Sequence, residues 1–454
     1  MKLTVIGGGG VRSMFLAKSI ALRAAALDIQ ELVLMDSDAQ KLRIFGGMAK
    51  HLAEMLEPSL QITLTLDPIV AIRDADYVIT TIRVGGDEAR CRDEHEALSL
   101  GVLGQETTGA AGFSFAMRSI PVLTDYCELV KKYAKPGACV FNFTNPVGIV
   151  SQALRDAGYD FTYGICDAPT SMLAQLSALY GLPSDAFQGE IYGLNHLSWF
   201  SEILYNGKNI MPKLLANERA RKETDLHFFD TSLLNHISCV PNEYCYYYYY
   251  REKAVENILR GGQTRGDDIL EINREMMKEL SSLDPEKDFD RCLSVYSKWY
   301  GEREARYMAR ETGIKRTAAW RFDPYAPDSG GYAGVALRFM EIIQSGQKGQ
   351  MILCLPNQGA LDFLEDTDTV EVTCDVEKGK VLPHHYGKVD RSQAECIRRV
   401  KYYERIGAQA ILKRDRMLAA ESLMAHPLVN SWSLAIQLTD AYIRENTVYT
   451  GVWR

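Results

Sequence analysis

Four consecutive glycines follow a short apolar segment near the first residue, and no other feature limits the fold as strongly. Residues 2–6 (KLTVI) are typical of a buried strand, and apolar residues at helical spacing resume at Met14. A glycine turn between a strand and a helix lets the backbone approach a pyrophosphate, which then faces amide groups and the positive end of the helix dipole. A tight turn without a ligand is the alternative interpretation.

The residue after the next predicted strand favours dinucleotide binding. That strand, residues 31–35 (ELVLM), ends at Asp36, which follows Gly7 by 29 positions. A carboxylate in this place accepts hydrogen bonds from an adenosine ribose, and it would repel the additional phosphate of NADP. The sequence therefore predicts NAD as a cofactor, bound by Gly7, Gly8, Gly9, Gly10, Val11 and Asp36.

Strands continue to alternate with helices over the first third of the chain. Apolar segments at residues 75–84, 138–143 and 161–165 are typical of buried strands, and such alternation predicts a parallel sheet. After residue 170, long amphipathic helices mix with short strands. We expect an α/β protein: a Rossmann-like, doubly wound parallel sheet that binds NAD over residues 1–170, and an α+β domain that binds substrate and metal over residues 171–454.

Composition limits the partners and the compartment. The chain has 51 Lys and Arg against 59 Asp and Glu, a net charge of −8, so it has no basic field for nucleic acid or an anionic membrane. It contains no apolar run of 18 residues and no secretory signal pattern. Its 10 cysteines lack CxxC spacing, which favours reduced thiols and a cytoplasmic location.

Longer motifs give the sequence a family resemblance. In order along the chain they are IGGGG at 6–10, IRVGGDEAR at 82–90, GVLGQETTG at 101–109, AMRSIPV at 116–122, NFTNPVGIV at 142–150, GICDAP at 164–169, YGLNHLSWF at 192–200 and PNEYCYYYYY at 241–250. With these motifs the chain resembles glycoside hydrolase family 4, whose members depend on NAD and a divalent metal and depart from the usual two-carboxylate mechanism.

The resemblance implies a reaction and a set of residues. NAD⁺ takes hydride from C3 of a sugar, a base removes the acidified C2 proton, the C1 substituent is eliminated, water adds, and the hydride returns. Cys166 and His196, an unconvincing metal pair by spacing alone, would hold Mn²⁺ or another divalent transition metal. Tyr244 would be the proton acceptor, Glu106 would raise its basicity, and Asp167 would be the proton donor.

Two of these residues also have ordinary structural interpretations. The alternative for Glu106 is an ion-paired core carboxylate, and the alternative for Asp167 is the N-cap of a helix that begins at Ala168. The motifs place Arg90, Asn145 and Arg265 in the substrate-binding set, where arginine suits a phosphate on the sugar. Arg265 is alternatively a partner in a structural ion pair, and Arg83 is a weaker further candidate.

The motif text favours a 6-phospho-β-glucosidase. A 6-phospho-α-glucosidase or an α-galacturonidase of the same family is the alternative, because the Cys-Asp pair at 166–167 is more like the α-selective members. From other classes, an NAD-dependent 2-hydroxy-acid dehydrogenase and an inactive sensor of NAD and sugar phosphate are open. The family shares its architecture with lactate and malate dehydrogenases, and its members are often dimers or tetramers, so we expect a homodimer or homotetramer.

Overall fold

The computed structural model describes residues 1–316, 320–328 and 331–454, and it contains two sheets. The strands are β1 (Lys2–Ile6), β2 (Glu31–Met35), β3 (Gln61–Thr65), β4 (Tyr77–Thr80), β5 (Cys139–Asn142), β6 (Thr162–Gly164), β7 (Phe187–Leu194), β8 (Leu197–Tyr205), β9 (Lys208–Asn209), β10 (Val240–Pro241), β11 (Gly349–Pro356), β12 (Thr369–Glu377) and β13 (Lys380–Pro383).

The helices surround these sheets. They are α1 (Ser13–Ala24), α2 (Ala39–Lys41), α3 (Gly47–Leu56), α4 (Pro68–Ile72), α5 (Gly86–Ser99), α6 (Ala110–Tyr133), α7 (Val147–Asp156), α8 (Ala168–Tyr180), α9 (Met211–Ala216), α10 (Glu218–Glu223), α11 (Thr231–Ile237), α12 (Tyr246–Tyr249), α13 (Arg251–Gly261), α14 (Arg265–Leu280), α15 (Phe289–Ala305), α16 (Ala309–Thr312), α17 (Gly331–Ser345), α18 (Arg391–Lys413), α19 (Arg416–Ala425) and α20 (Trp432–Thr450). In the described residues, no helix combines the length and apolarity that crossing a membrane requires.

Six parallel strands form the predicted nucleotide-binding sheet. Their order is β3-β2-β1-β4-β5-β6, with all neighbours parallel. This is the order of a doubly wound dinucleotide-binding fold, in which ligands bind at the carboxyl ends of the strands. The predicted parallel sheet is confirmed, although β3 has no counterpart in the sequence analysis because its burial is partial and its sequence, QITLT, is half polar.

The same sheet continues into the second half of the chain. β11 pairs antiparallel with β6, Cys354 lying opposite Gly164, and β12 and β13 follow at the edge. A smaller antiparallel sheet contains the hairpin of β7 and β8, with β9 and β10 on β8. The division of the chain at residue 170 remains a prediction, and one nine-stranded sheet spans it.

Two further predictions concern a long helix and a run of tyrosines in the second half of the chain. The amphipathic pattern over residues 391–419 predicts a single helix. In the structure α18 ends before Arg414, whose φ of +56° is left-handed, and α19 begins after Asp415. The Asp415 side chain accepts from the Leu418 amide and so caps the new helix, which is why the prediction of one helix is wrong. The five consecutive tyrosines at 246–250 are typical of an aromatic wall or a core seam, and Tyr246, Tyr247 and Tyr250 are buried.

The turn after β1 requires glycine at its first position. Gly7 has a φ of +101°, and a Cβ there would lie 2.3 Å from the Thr81 carbonyl oxygen. We expect Gly7→Ala to lower the free energy of unfolding by about 2 kcal/mol or more, because strain and a backbone clash add. Urea unfolding measures this free energy.

The matched control is Gly334→Ala in α17, where nothing lies within 4 Å of the new Cβ and stability should stay level or rise slightly. Equal effects would contradict the interpretation.

Candidate active site

The glycine turn is held by the strand beside it. The amides of Gly7 and Gly8 both donate to the Met35 carbonyl oxygen at 2.8 Å, and the Gly9 amide donates to Asp36 Oδ2 at 2.9 Å. The Asp38 amide donates to Asp36 Oδ1 at 3.0 Å. Asp36 therefore braces the turn from the end of β2, which is the place predicted for the ribose-binding carboxylate.

A cleft of about 230 Å³ opens in front of this turn at the carboxyl ends of the strands. Gly9, Gly10 and Val11 line one end of it. Its other walls include Thr81 after β4, Asn145 after β5 and the aromatic ring of Tyr244. Five arginines also line it, namely Arg12, Arg83, Arg90, Arg265 and Arg303. The structure thus brings together the predicted cofactor turn and all of the predicted substrate-binding residues.

Glu106 lies between two of these arginines. Arg90 Nη1 is 2.9 Å from Glu106 Oε1, and Arg83 pairs with the other carboxylate oxygen. Burial alone would raise the pKa of Glu106, but the charges of Arg83 and Arg90 outweigh it and hold that pKa well below its usual range. Arg90 also pairs with Glu94 at 2.7 Å. The ion-paired interpretation of Glu106 therefore describes its geometry, and the carboxylate still faces the cleft.

Arg265 and Arg303 have no such acidic partners. Within the described residues neither forms an ion pair, and Arg265 Nη1 is buried without a hydrogen-bond acceptor, while its Nη2 donates to the Arg303 carbonyl oxygen at 2.8 Å. Burial, and then the positive charge of Arg12, lowers the pKa of the Arg303 guanidinium to about 10. Two buried guanidiniums that line one cleft without an ion-pair partner among the described residues form a site for an anion.

The local sequence explains why Arg265 faces inward. Thr264 and Asp267 form a capping box at the start of α14, so the helix begins at a fixed residue and Arg265 lies in its first turn. The Gly266 amide donates to Glu94 Oε2 at 2.7 Å, which ties this turn to α5. Arg303, near the end of α15, was not predicted, because no motif in the sequence singles it out.

His196, Tyr244 and Cys166 meet on the far side of the cleft. The rings of His196 and Tyr244 stack with centroids 3.8 Å apart and an angle of 5° between their planes. Cys166 Sγ is 3.6 Å from His196 Nε2. A second cavity of about 260 Å³ contains these three residues and Asp167, and it shares Asn145 and Tyr244 with the first. The predicted acid, base and metal-binding residues therefore occupy one continuous cleft.

The Cys166–His196 pair fits two ligands of a metal ion. Donor atoms about 2.3 Å and about 2.1 Å from one ion, at a tetrahedral angle, are about 3.6 Å apart. Burial lowers the pKa of His196 to about 3, so the imidazole is neutral, as a ligand must be. In the part of the chain that is described, no group of three or more His, Cys, Asp or Glu side chains is arranged to hold a metal.

The pKa values of Asp167 and Tyr244 are both raised, so both side chains favour their protonated, neutral forms. Burial raises the pKa of Asp167, against the opposing charge of Arg12, whose Nη1 is 4.0 Å from Asp167 Oδ2. Asp167 occupies the N-cap position of α8, but its side chain makes no capping hydrogen bond and is available to the cleft. Burial, and then the charge of Glu243, raises the pKa of Tyr244 well above its usual value.

Two acidic residues beside Tyr244 were missed by the sequence analysis. Burial and the neighbouring carboxylate of Asp225 raise the pKa of Glu243 to about 8. The Tyr307 hydroxyl donates to Glu243 Oε1 at 3.3 Å, and Arg316 pairs with Asp225 at 3.0 Å. The only available signal was the position of Glu243 next to Tyr244 in the PNEY motif.

Comparison with known proteins agrees with this architecture. The sequence model "Family 4 glycosyl hydrolase" matches residues 2–182, and "Family 4 glycosyl hydrolase C-terminal domain" matches residues 191–429. Fold and site define a glycosyl hydrolase built on a dinucleotide-binding sheet. The chain belongs to glycosyl hydrolase family 4, and the predicted family is confirmed.

Individual relatives span nearly the whole chain. The 6-phospho-beta-glucosidase BglT of Thermotoga maritima is 26% identical over 453 residues, covering 99% of each chain. The phospho-alpha-glucosidase PagL of Clostridium acetobutylicum is 24% identical and covers 98% of each. A structure of the Thermotoga maritima 6-phospho-beta-glucosidase with NAD and glucose-6-phosphate superposes with a TM-score of 0.81 at 26% identity and 99% coverage of each chain.

The predicted likeness to the dehydrogenases is confirmed at the level of the fold. Malate dehydrogenase from Plasmodium falciparum superposes with a TM-score of 0.52 at 12% identity, over 91% of this chain and 100% of the other. Family membership favours a hydrolase over a dehydrogenase on the same sheet.

Glu106 gives a test of the arginine cluster through acid stability. Its pKa is lowered by folding, so its contribution is fully present above the unfolded pKa of about 4.3 and is lost as the pH falls further. We expect Glu106→Gln to lower the free energy of unfolding at pH 7 by about 3 kcal/mol, because two guanidiniums lose a carboxylate.

Urea unfolding at pH 7 and pH 3.5 measures both values, and the difference from the wild type should shrink at the lower pH. The control is Glu88→Gln, an exposed glutamate 3.2 Å from Arg274, for which we expect less than about 1 kcal/mol. A pH-independent loss for Glu106→Gln would contradict the electrostatic account.

Proposed function

We propose that this protein hydrolyses 6-phospho-β-glucosides with NAD⁺ and a divalent metal, Mn²⁺ being the first choice. One observation carries the proposal: buried Arg265 and Arg303, without acidic partners among the described residues, line the cleft that joins the glycine turn to Tyr244. A sugar 6-phosphate supplies the missing negative charge and directs its ring toward Tyr244. The names and bound ligands of the relatives support the same substrate class.

The cofactors supply chemistry that side chains lack. NAD⁺, at the glycine turn and Asp36, accepts and returns a hydride at C3, and a divalent ion held by Cys166 and His196 polarises the sugar oxygens at C2 and C3. Asn145, whose Oδ1 is buried without a partner among the described residues, is placed to accept from a sugar hydroxyl. Arg90 contributes to the sugar-phosphate site through its position on the cleft wall.

Proton transfers fall to Tyr244 and Asp167, which both line the second cavity. Tyr244 takes the C2 proton, which requires its raised pKa to fall when positive charge arrives next to the stacked His196. Glu106 accepts hydrogen bonds from two arginines and thereby keeps a negative charge near Tyr244, which favours proton transfer to the phenolate oxygen. Asp167, whose pKa is raised, donates a proton to the departing glycosidic oxygen.

A 6-phospho-α-glucosidase is the second candidate. Relatives of this specificity match the chain over 98% of its length at 24% identity. Elimination through C2 deprotonation demands less of the anomeric configuration than direct displacement does, because the C2 proton leaves before the C1 substituent. The residues that bind phosphate and remove the proton are the same for both anomers.

The proposed substrate indicates where the enzyme works, and the assembly is a separate expectation. All ten cysteines are free thiols, and a sugar phosphate does not cross a membrane unaided, so we place the enzyme in the cytoplasm. We expect a homodimer or homotetramer, which light scattering coupled to size-exclusion chromatography measures. A monomer at all concentrations would contradict that part of the proposal.

The activity is tested with nitrophenyl 6-phospho-β-glucoside after dialysis against a chelator. We expect nitrophenol release only when NAD⁺ and Mn²⁺ are both returned, without net formation of NADH at 340 nm, because the hydride goes back to the sugar. The α-anomer and the unphosphorylated glucoside are the comparison substrates. Faster release from the α-anomer would establish the second candidate, and stoichiometric NADH would establish a dehydrogenase.

Arg303 tests the phosphate site separately. Loss of a charge-assisted hydrogen bond in Arg303→Met should raise KM for the phosphorylated glucoside by about 10- to 100-fold, with a smaller effect on kcat. The matched control is Arg306→Met three residues later, because Arg306 pairs with Asp268 and Glu271 and does not line the cleft. Steady-state kinetics of both variants decide, and a change in kcat alone would exclude a phosphate-binding role.

A further inference from the structure

Glu371 is a buried carboxylate that the reaction described above does not use. It lies in β12, is 1% exposed, and accepts hydrogen bonds from Asn195 Nδ2 at 3.0 Å and Ser198 Oγ at 2.8 Å. The thiol of Cys354 is 3.8 Å from its Oε1. No ion pair of Glu371 with Lys, Arg or His is present among the described residues, and burial raises its pKa to about 7. A charge in that position is costly unless a cation lies near.

The two residues that donate hydrogen bonds to Glu371 lie on either side of His196 in the sequence. Asn195 precedes His196 and Ser198 follows it by two residues, at the tight turn between β7 and β8. His196 has a φ of +64°, a left-handed conformation that costs a residue with a side chain about 1–2 kcal/mol. The hydrogen bonds to Glu371 thus connect both sides of this strained turn to β12 of the main sheet. The orientation of the His196 imidazole ring depends on the conformation of that turn.

Glu371 is also close to the other half of the metal-binding pair. Cys354, which contacts Glu371, lies opposite Gly164 in the sheet, two residues before Cys166. A Cys166 thiolate and the Glu371 carboxylate together carry two negative charges, which equals the charge of a divalent ion.

We propose that Glu371 is a positioning residue of the metal centre: it fixes the turn that carries His196 and places a balancing negative charge behind Cys166 without binding the ion. The inference rests on the proposed function, in that it requires a divalent metal between Cys166 and His196. Carboxylates that orient a ligand and balance charge in this way contribute strongly to metal affinity.

The variant Glu371→Gln separates charge from packing. The amide oxygen can still accept from Asn195, and the amide nitrogen can donate to the Ser198 hydroxyl, while the negative charge is lost. Calorimetric titration of the NAD⁺-loaded, chelator-treated protein with MnCl₂ should give a Kd 10- to 100-fold above that of the wild type. NAD⁺ affinity and the Tm of the metal-free protein should not fall, because replacing a buried unpaired charge relieves a cost.

The matched control is Glu190→Gln, at the other part of the same hairpin, where the carboxylate accepts from Tyr386 at 3.0 Å and pairs with His384. It should leave the Mn²⁺ Kd within twofold. A merely structural role for Glu371 predicts the reverse pattern: a lower Tm in the metal-free protein and an unchanged Mn²⁺ Kd.

Three outcomes overturn or support the inference. If the wild type binds Mn²⁺ and Glu371→Gln binds it within twofold, the role of Glu371 is wrong and the proposed function stands. If the wild type binds no Mn²⁺, the metal part of the proposed function fails and this inference fails with it. If Glu371→Gln does not fold, Ser198→Ala, which removes one bond to the turn and no charge, should still raise the Mn²⁺ Kd by at least threefold, and an unchanged Kd overturns the inference.

Discussion

The register of the parallel strands is the constraint on which the site depends. β1, β4 and β5 pair so that Ile6, Thr80 and Asn142 lie side by side at their last residues. The glycine turn, Thr81 and Asn145 therefore emerge at one edge, and β6 brings Cys166 to the same edge. Gly7 is required for this arrangement, because the absence of a Cβ lets the turn pack directly against the Thr81 carbonyl group. A side chain at that point would separate the turn from β4 and widen the cleft.

Electrostatics then divides the cleft into regions with different tasks. Arg83 and Arg90 share Glu106 and pair in addition with Asp87 and Glu94, respectively. Arg265 and Arg303 form no ion pair among the described residues, so their charge is available to a ligand. Around Cys166 the neighbouring charged groups are acidic, and Glu371 and Asp167 both raise the pKa of its thiol. One end of the cleft is thus built for an anion and the other for a cation. A phosphorylated sugar between a buried arginine pair and a divalent metal satisfies both, and the buried charges are then no longer uncompensated.

Elements defined by local patterns could be predicted from the sequence, whereas those defined by packing could not. Predicted strands at 2–6 and 31–35 coincide with β1 and β2, because each is a continuous apolar run buried on both faces. The hairpin of β7 and β8 was not identified, although its turn carries the predicted ligand His196. Arg303 and Glu371 were likewise missed, since an arginine in a helix and a glutamate in a strand are ordinary residues until their neighbours are known.

The sequence by itself determined the nucleotide-binding sheet, the glycine turn and the family, because these depend on residues that are close in the chain or on motifs that are long. Only the tertiary structure decided which charges are compensated. Glu106 pairs with arginines some 16 to 23 positions away, and Glu371 holds a turn 173 to 176 positions away. Whether a buried charged group is paired or available for a ligand depends on strand order and helix packing, which bring distant residues within a few ångströms. This distinction is the basis for proposing that Arg265 and Arg303 bind phosphate and that Glu371 positions the metal ligands. No single segment of the sequence contains enough information to make it.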